Sequence, residues 1–276
     1  MSQSNFNKKI ERMKAIRMGS PVSICGLTFY PITMSDYEIF KACSAAWTLR
    51  MSTLPVKYIS RNFLDAIFCL DIDLINEGNE AMGLFSRVMR MLFLSLREPY
   101  NIKDLRELLE LTIDEKKGIC IEKIKVTQNG NEIEIKPNDF VTKIRPLIAE
   151  MNGLKLPNER ENPDLVRDLE LKKQFNAMQS GKRLNENIDD LIASVAYNSH
   201  IREKDILEWT VKEFEGRVNA IERDKNYTMY GQAQLSGMVS FKNGNPFKSW
   251  CYDVLDDSLG TQSLADTTIN GLKIKN

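Results

Sequence analysis

Histidine is almost missing from this chain. The one present, His200, sits in Tyr-Asn-Ser-His-Ile-Arg, which reads as a turn between helices. A nucleophilic triad needs a base beside a nucleophile and an acid to orient it. A single histidine in such a turn reads as structural or exposed. Glycine-rich phosphate loops are missing too: neither GxxxxGK[ST] nor GxGxxG occurs, which removes the common nucleotide-binding classes. The five cysteines, Cys25, Cys43, Cys69, Cys120 and Cys251, never form CxxC and are odd in number. With one histidine they offer no zinc-ligand spacing, and they fit free thiols in a reducing cytoplasm. The start, MSQSNFNKK, lacks the apolar run of a secretory signal.

Charge of one sign is absent as well. Lys plus Arg and Asp plus Glu both number 38, whereas nucleic-acid binders carry a basic excess or stripe. The basic run Lys8, Lys9, Arg12, Lys14 and Arg17 is read as a solvated arm. The most apolar stretch, Ala81 to Leu96, carries Arg87 and Arg90. It falls short of the ~20 residues that span a bilayer, so it is read as a buried helix and no membrane partner is expected.

What is present is helical periodicity. The expected fold is mainly α: multi-helical, with a small β-hairpin and a short N-terminal strand pair. Phe6 to Met18 reads as a basic helix or arm. Val22, Ile24, Leu27, Phe29 and Ile32 around Gly26 predict the strand pair. Ser35 and Glu38 fit a capping box, ahead of Ile39 or Phe40, Cys43, Trp47 and Arg50 at helical spacing. Pro55 can start a helix whose stripe is Val56, Ile59, Phe63, Ile67, Leu70 and Leu74. Met82, Phe85, Met89, Leu92 and Leu96 form another stripe, and Leu105, Leu108, Leu109 and Ile113 a short one. Asn129-Gly130 between β-branched runs predicts a hairpin over Gly118 to Lys136. Helix resumes from Asn138 to Met151, with Pro146 inside to kink or split it. Further helices are expected from Asn162 to Gly181, around Ile188 to Val195, and from a second capping box, Thr210 to Glu213, toward Tyr230. The expected core of the first lobe is Trp47, Phe63, Ile67, Leu70, Phe85, Met89 and Leu92.

The domain reading is an N-terminal arm with short strands over 1–34, a helical lobe over 35–155, a second helical lobe over 156–251, and a loosely ordered tail over 252–276. The boundary rests on Leu156 to Pro163, where two prolines interrupt the pattern. No catalytic, cofactor or metal residue is assigned. Asp71, Asp73, Glu77 and Glu80 read as a solvated acidic surface, as do Asp253, Asp256 and Asp257, since neither group has the alternation and central Gly of a calcium loop. The sharpest candidate for binding is an aromatic cluster in a Gly/Asn/Pro loop: Phe241, Phe247, Trp250 and Tyr252 are read as anchors for a protein partner.

Four blocks carry a resemblance: FYPITMSDYEIFKACSAAW, LPVKYISRNFLDAIFCLD, the Asn-Gly hairpin with DFVTKIRPLIAEMNGLKLP, and DILEWTVKEFEGRVNAIERDKNYTMYGQAQLSGMVSFKNGNPFKSW. Together they cover most of the chain. They resemble a family encoded by tailed phages and prophages of low-GC Gram-positive bacteria, grouped with tail morphogenesis genes and often described as tail assembly chaperones. Pro146 departs from that pattern. The resemblance implies a non-catalytic protein of the bacterial cytoplasm, without cofactors, whose partners are the tape-measure protein or tail-tube subunits. The alternatives are a structural virion component, such as a neck or baseplate subunit, and a host-directed effector or divergent metal-dependent enzyme.

Overall fold

A computed structural model describes residues 3–78, 82–100, 105–114, 118–159 and 187–237, with the single positions 168 and 172. The fold is mainly α with two small antiparallel sheets. Helix α1 (Gln3–Arg17) leads into the hairpin β1 (Val22–Ile24) and β2 (Leu27–Phe29). Helices α2 (Tyr37–Trp47), α3 (Val56–Ile59), α4 (Phe63–Asn76) and α5 (Leu84–Leu96) follow. A turn of helix, α6 (Leu105–Leu108), precedes a three-stranded sheet, β3 (Leu109–Asp114), β4 (Gly118–Gln128) and β5 (Asn131–Ile135). Then come α7 (Pro137–Asp139), a π-helical stretch (Phe140–Ile144), α8 (Arg145–Met151), α9 (Ile188–Ser199), α10 (Glu203–Ile206) and α11 (Val211–Leu235). The chain divides into two compact units, Met1–Glu215 and Gly216–Asn276. The described part of the second unit is the continuation of α11.

Both predicted hairpins form. Positive φ at Cys25 and Gly26 turns β1 into β2, and positive φ at Asn129 and Gly130 turns β4 into β5. Only Gly adopts this geometry without steric cost, and Asn tolerates it better than most residues. The predicted core is also found: Trp47, Phe63, Ile67, Leu70, Phe85, Met89 and Leu92 are all buried. Edge-to-face ring pairs, Trp47 with Phe140 at 5.5 Å and Phe68 with Phe85 at 5.1 Å, lock neighbouring elements together. Arg87 and Arg90 lie on the exposed side of α5.

From Pro137 to Met151 the chain stays helical but changes hydrogen-bond pattern around Pro146. Its missing N–H removes a rung of the ladder, and the π-helical stretch Phe140–Ile144 lies just ahead of it. Beside the proline, Arg145 is buried. Its Nε donates to the Trp47 carbonyl at 2.9 Å and its Nη2 to the Leu49 carbonyl at 2.9 Å, and its guanidinium lies 3.6 Å from the Phe63 ring centroid. Trp47 Nε1 returns a bond to the Arg145 carbonyl at 3.3 Å. The orphan carbonyls at the end of α2 are thus capped by a residue remote in sequence. Burial pulls the Arg145 pKa down to about 10, which leaves it charged at neutral pH.

The segment after the first hairpin is held by side chains and backbone from four places. Alternate N–H groups point to different partners: Thr28 to Gln128 Oε1 at 2.8 Å, Tyr30 to the Ser95 carbonyl at 2.7 Å, Ile32 to Asn152 Oδ1 at 2.8 Å, and Met34 to the Trp209 carbonyl at 2.8 Å. Gln128 is buried and reads Thr28 from both sides, since its Nε2 donates to the Thr28 carbonyl at 2.8 Å and to the Leu96 carbonyl at 3.2 Å. Val211 N–H donates to the Ile32 carbonyl at 2.9 Å. The start of α11 therefore belongs to the first unit, sealed by the predicted capping box: Thr210 N–H donates to Glu213 Oε2 at 2.9 Å and Glu213 N–H to Thr210 Oγ1 at 3.2 Å.

Several expectations are corrected. The first capping box does not form: a 3-10 turn, Met34–Asp36, precedes α2, and the Ser35 hydroxyl bonds the Thr33 hydroxyl at 2.7 Å instead. The stripe through Val56 and Ile59 is interrupted, because Asn62 caps a new helix by accepting from Asp65 N–H at 2.9 Å. Val56 is 85% exposed, while Tyr58 takes the buried place. Met82 stands exposed before α5. The short helix expected through Ile113 is one turn followed by strand β3, as the alternation of Leu-Glu-Leu-Thr-Ile-Asp allows. Residues 160–163 of the expected linker, nearly all of the helix expected from Asn162 to Gly181, and the tail lie outside the described residues.

Candidate functional site

Two of the buried acids, Asp71 and Asp65, hold backbone N–H groups, although Asp71 Oδ1 is buried without a partner of its own. Asp71 is buried, not solvated as its acidic neighbours suggested. Its Oδ2 accepts Phe85 N–H at 2.9 Å, satisfying an orphan donor in the first turn of α5 from a neighbouring helix. Asp73 accepts the Tyr58 hydroxyl at 2.6 Å and Lys57 Nζ at 2.9 Å. Those bonds, the Tyr58 one first, hold its carboxyl below the ordinary range. Asp65 is buried; its Oδ1 accepts Ile121 N–H at 2.7 Å and its Oδ2 accepts from the Asn62 amide. Among the described residues no cluster of His, Cys, Asp or Glu is arranged to hold a metal.

The two buried thiols, Cys43 and Cys69, are poor nucleophiles. Burial pushes Cys43 up, opposed by Arg90 and Arg87, and pushes Cys69 up, opposed by Arg61. A thiol held protonated at neutral pH does not attack. His200 is exposed and caps the end of α9 in the left-handed conformation, φ 56°. That is the turn read from the sequence.

Among the described residues the first unit carries a concave surface. A groove of about 370 Å³ lies between the last turns of α1 and the start of α11. Met13, Ile16 and Arg17 line one wall, and Thr210, Lys212 and Glu213 the other, with Glu150 between them. Arg12 reaches Glu150 at 3.2 Å, and Lys212 Nζ donates to the Glu150 carbonyl at 3.0 Å. The basic run expected to be a solvated arm is thus a helix docked by its last turns, with Ile16 buried beneath it. Apolar floor and charged rim suit an amphipathic segment of another protein. Within the lining, Thr210 Oγ1 donates to Glu213 Oε2 at 2.9 Å as part of the cap of α11.

No protein-family model, curated protein or solved structure matches this chain.

The fold and its own surfaces therefore carry the functional reading. The aromatic anchors Phe241, Phe247, Trp250 and Tyr252 lie outside the described residues. Among the described residues no helix is long and apolar enough to cross a membrane. Sequence reasoning missed the groove, because its walls are brought together by contacts between residues far apart in the chain. It also missed the exposed apolar end of the three-stranded sheet: Leu111 is 47% exposed, Ile113 82% and Ile119 41%. The period-two alternation from Leu109 was the signal available for that strand.

Proposed function

We propose that this chain is a non-catalytic phage tail morphogenesis protein, an assembly chaperone that holds tape-measure or tail-tube subunits in the cytoplasm of the bacterial host. The observation that carries the reading is where the reactive side chains stand: the buried acids and the buried arginine cap helices and strands, and the buried thiols stay protonated. A protein so built acts through its surface. Mainly helical architecture and an apolar groove rimmed with charge suit holding a segment of another protein. The resemblance of the four sequence blocks supplies the phage tail context.

The test is capture of the tagged chain from infected cells, with quantitative mass spectrometry of the same phage after purification. A chaperone co-purifies with tape-measure or tube subunits during assembly and is absent from the finished virion. Stoichiometric presence in virions would instead favour the second reading, a neck or baseplate subunit. Turnover of nucleotide, peptide or nucleic acid, abolished by one point substitution, would contradict both.

A further inference from the structure

We propose that the outer edge of β3 is an interface between two copies of this chain, joined antiparallel about Leu111 so that their sheets become one six-stranded sheet. The sheet order is β3-β4-β5, so β3 is an edge strand. Proteins blunt exposed edges with lysine, proline or a covering side chain, because an open edge recruits another strand. The same sheet shows such covering elsewhere. Along the first half of β4, on the side away from β3, Arg61 Nη1 donates to the Ile119 carbonyl at 2.9 Å and Ile121 N–H donates to Asp65 at 2.7 Å. Further along, β5 pairs with that side. Strand β3, Leu-Glu-Leu-Thr-Ile-Asp, has neither lysine nor proline, and the register shift between Glu110 and Leu111 places its extra residue, Glu122, in β4, so β3 itself runs without an insertion.

Its faces are also incomplete. Alternation sets Leu109, Leu111 and Ile113 on one face and Glu110, Thr112 and Asp114 on the other. Across the pair, Ile124 stands opposite Leu109, Ile121 opposite Leu111 and Ile119 opposite Ile113. Ile124 and Ile121 are buried, whereas Leu111, Ile113 and Ile119 are exposed. The apolar face continues past the body that covers its first half.

A second copy is the occupant this pattern fits. Antiparallel pairing about Leu111 places it against Leu111 of the second copy, Leu109 against Ile113, and Glu110 against Thr112. Every position on the apolar face then meets an apolar residue, and no two like charges stand directly opposite. A shift to pairing about Thr112 would leave Leu109 opposite position 115, beyond the end of β3, and so loses an apolar pair. Charge also argues against a strongly basic partner strand. Glu110 lies 3.2 Å from Lys123 and 3.5 Å from Lys125, and Lys123 also reaches Glu134 at 2.8 Å. That polar face is already balanced, so opposite charge adds little, whereas an isologous contact needs only self-complementarity. One strand per copy is a small interface, so the dimer forms in a concentration-dependent way. It does not depend on the role proposed above.

Sedimentation of the full-length chain from about 1 to 200 µM, a span that covers weak association, tests this. The wild type should pass from monomer to dimer, while Ile113→Lys and Leu111→Lys stay monomeric with unchanged melting temperature. A wild type that is monomeric throughout, or an Ile113→Lys variant that still dimerises, overturns the proposal. Mild oxidation reads the register: Leu111→Cys should yield a disulfide between the two introduced cysteines, assigned by peptide mass spectrometry, and Thr112→Cys should not when combined with Cys120→Ser, since Cys120 stands opposite Thr112 in the same sheet. A pair through position 112 in its place would overturn the pairing proposed.

Discussion

Two extended stretches of the first unit have opposite fates. Along Thr28 to Met34, alternate N–H groups are taken by Gln128, Ser95, Asn152 and Trp209, and Leu27 and Phe29 are fully buried. Along Leu109 to Asp114, only one neighbour strand is present among the described residues, and Ile113 stands open to solvent. The first stretch cannot be moved without stranding buried polar groups. The second offers backbone and apolar side chains to something else. The difference separates a structural joint from an interaction surface, although both are short runs of strand formers.

Breaking the core that both stretches pack on should have the largest effects. Phe63→Ala removes the ring beneath Arg145 and part of the core, and is expected to cost about 3–5 kcal/mol in chemical denaturation. Arg145→Ala leaves the Trp47 and Leu49 carbonyls without donors and is expected to cost about 2–4 kcal/mol, since buried acceptors lose their partners. Unchanged stability in either variant would mean that the core is misassigned.

Gln128 sharpens the comparison, because it acts as a one-residue strand against Thr28. Gln128→Ala should cost about 1–3 kcal/mol. Gln128→Glu removes the amide donor and sets a carboxylate against the Thr28 and Leu96 carbonyls. Its folded-state pKa would be raised, so the variant should be stable below the ordinary carboxylate pKa and lose stability as pH rises through the raised value. Thermal melts at pH 4 and pH 7, each against wild type, should show a smaller deficit at the lower pH. An equal deficit at both would argue against the reciprocal bond.

Asp73 gives a smaller effect with the opposite sign. Its carboxyl is held low by Tyr58 and Lys57. The contribution is therefore present above the ordinary carboxylate pKa and is lost as pH falls through the depressed one. The site is partly open to solvent, so Asp73→Asn should cost less than about 1 kcal/mol at neutral pH, and the cost should vanish in acid melts. The smallest stability effect belongs to the open strand: Ile113→Lys should stay within about 0.5 kcal/mol of wild type.

What was legible in the sequence follows from locality. Asn129-Gly130, the Thr210–Glu213 capping box, the change of hydrogen-bond pattern at Pro146 and the apolar stripes through Phe63 and Phe85 depend on residues a few places apart, and their chemistry is visible in order along the chain. The Ser35 box failed because the Thr33 hydroxyl took its place. The acidic group at Asp71 looked solvated because nothing nearby in sequence reveals that α5 begins against it. Leu105 to Ile113 fits period three or four as well as period two, and its second half takes the two-residue alternation of a strand. The groove at Met13 and Lys212 joins residues far apart in the chain, and no local pattern announces it.

The most direct test of the contrast is amide hydrogen exchange on the full-length chain at low and high protein concentration. Peptides covering Leu27 to Met34 should be strongly protected at both concentrations. Peptides covering Leu109 to Asp114 should exchange faster at low concentration and gain protection at high concentration, as the open edge finds its partner. Exchange through Leu27 to Met34 as fast as through β3, or a β3 indifferent to concentration, would contradict the account.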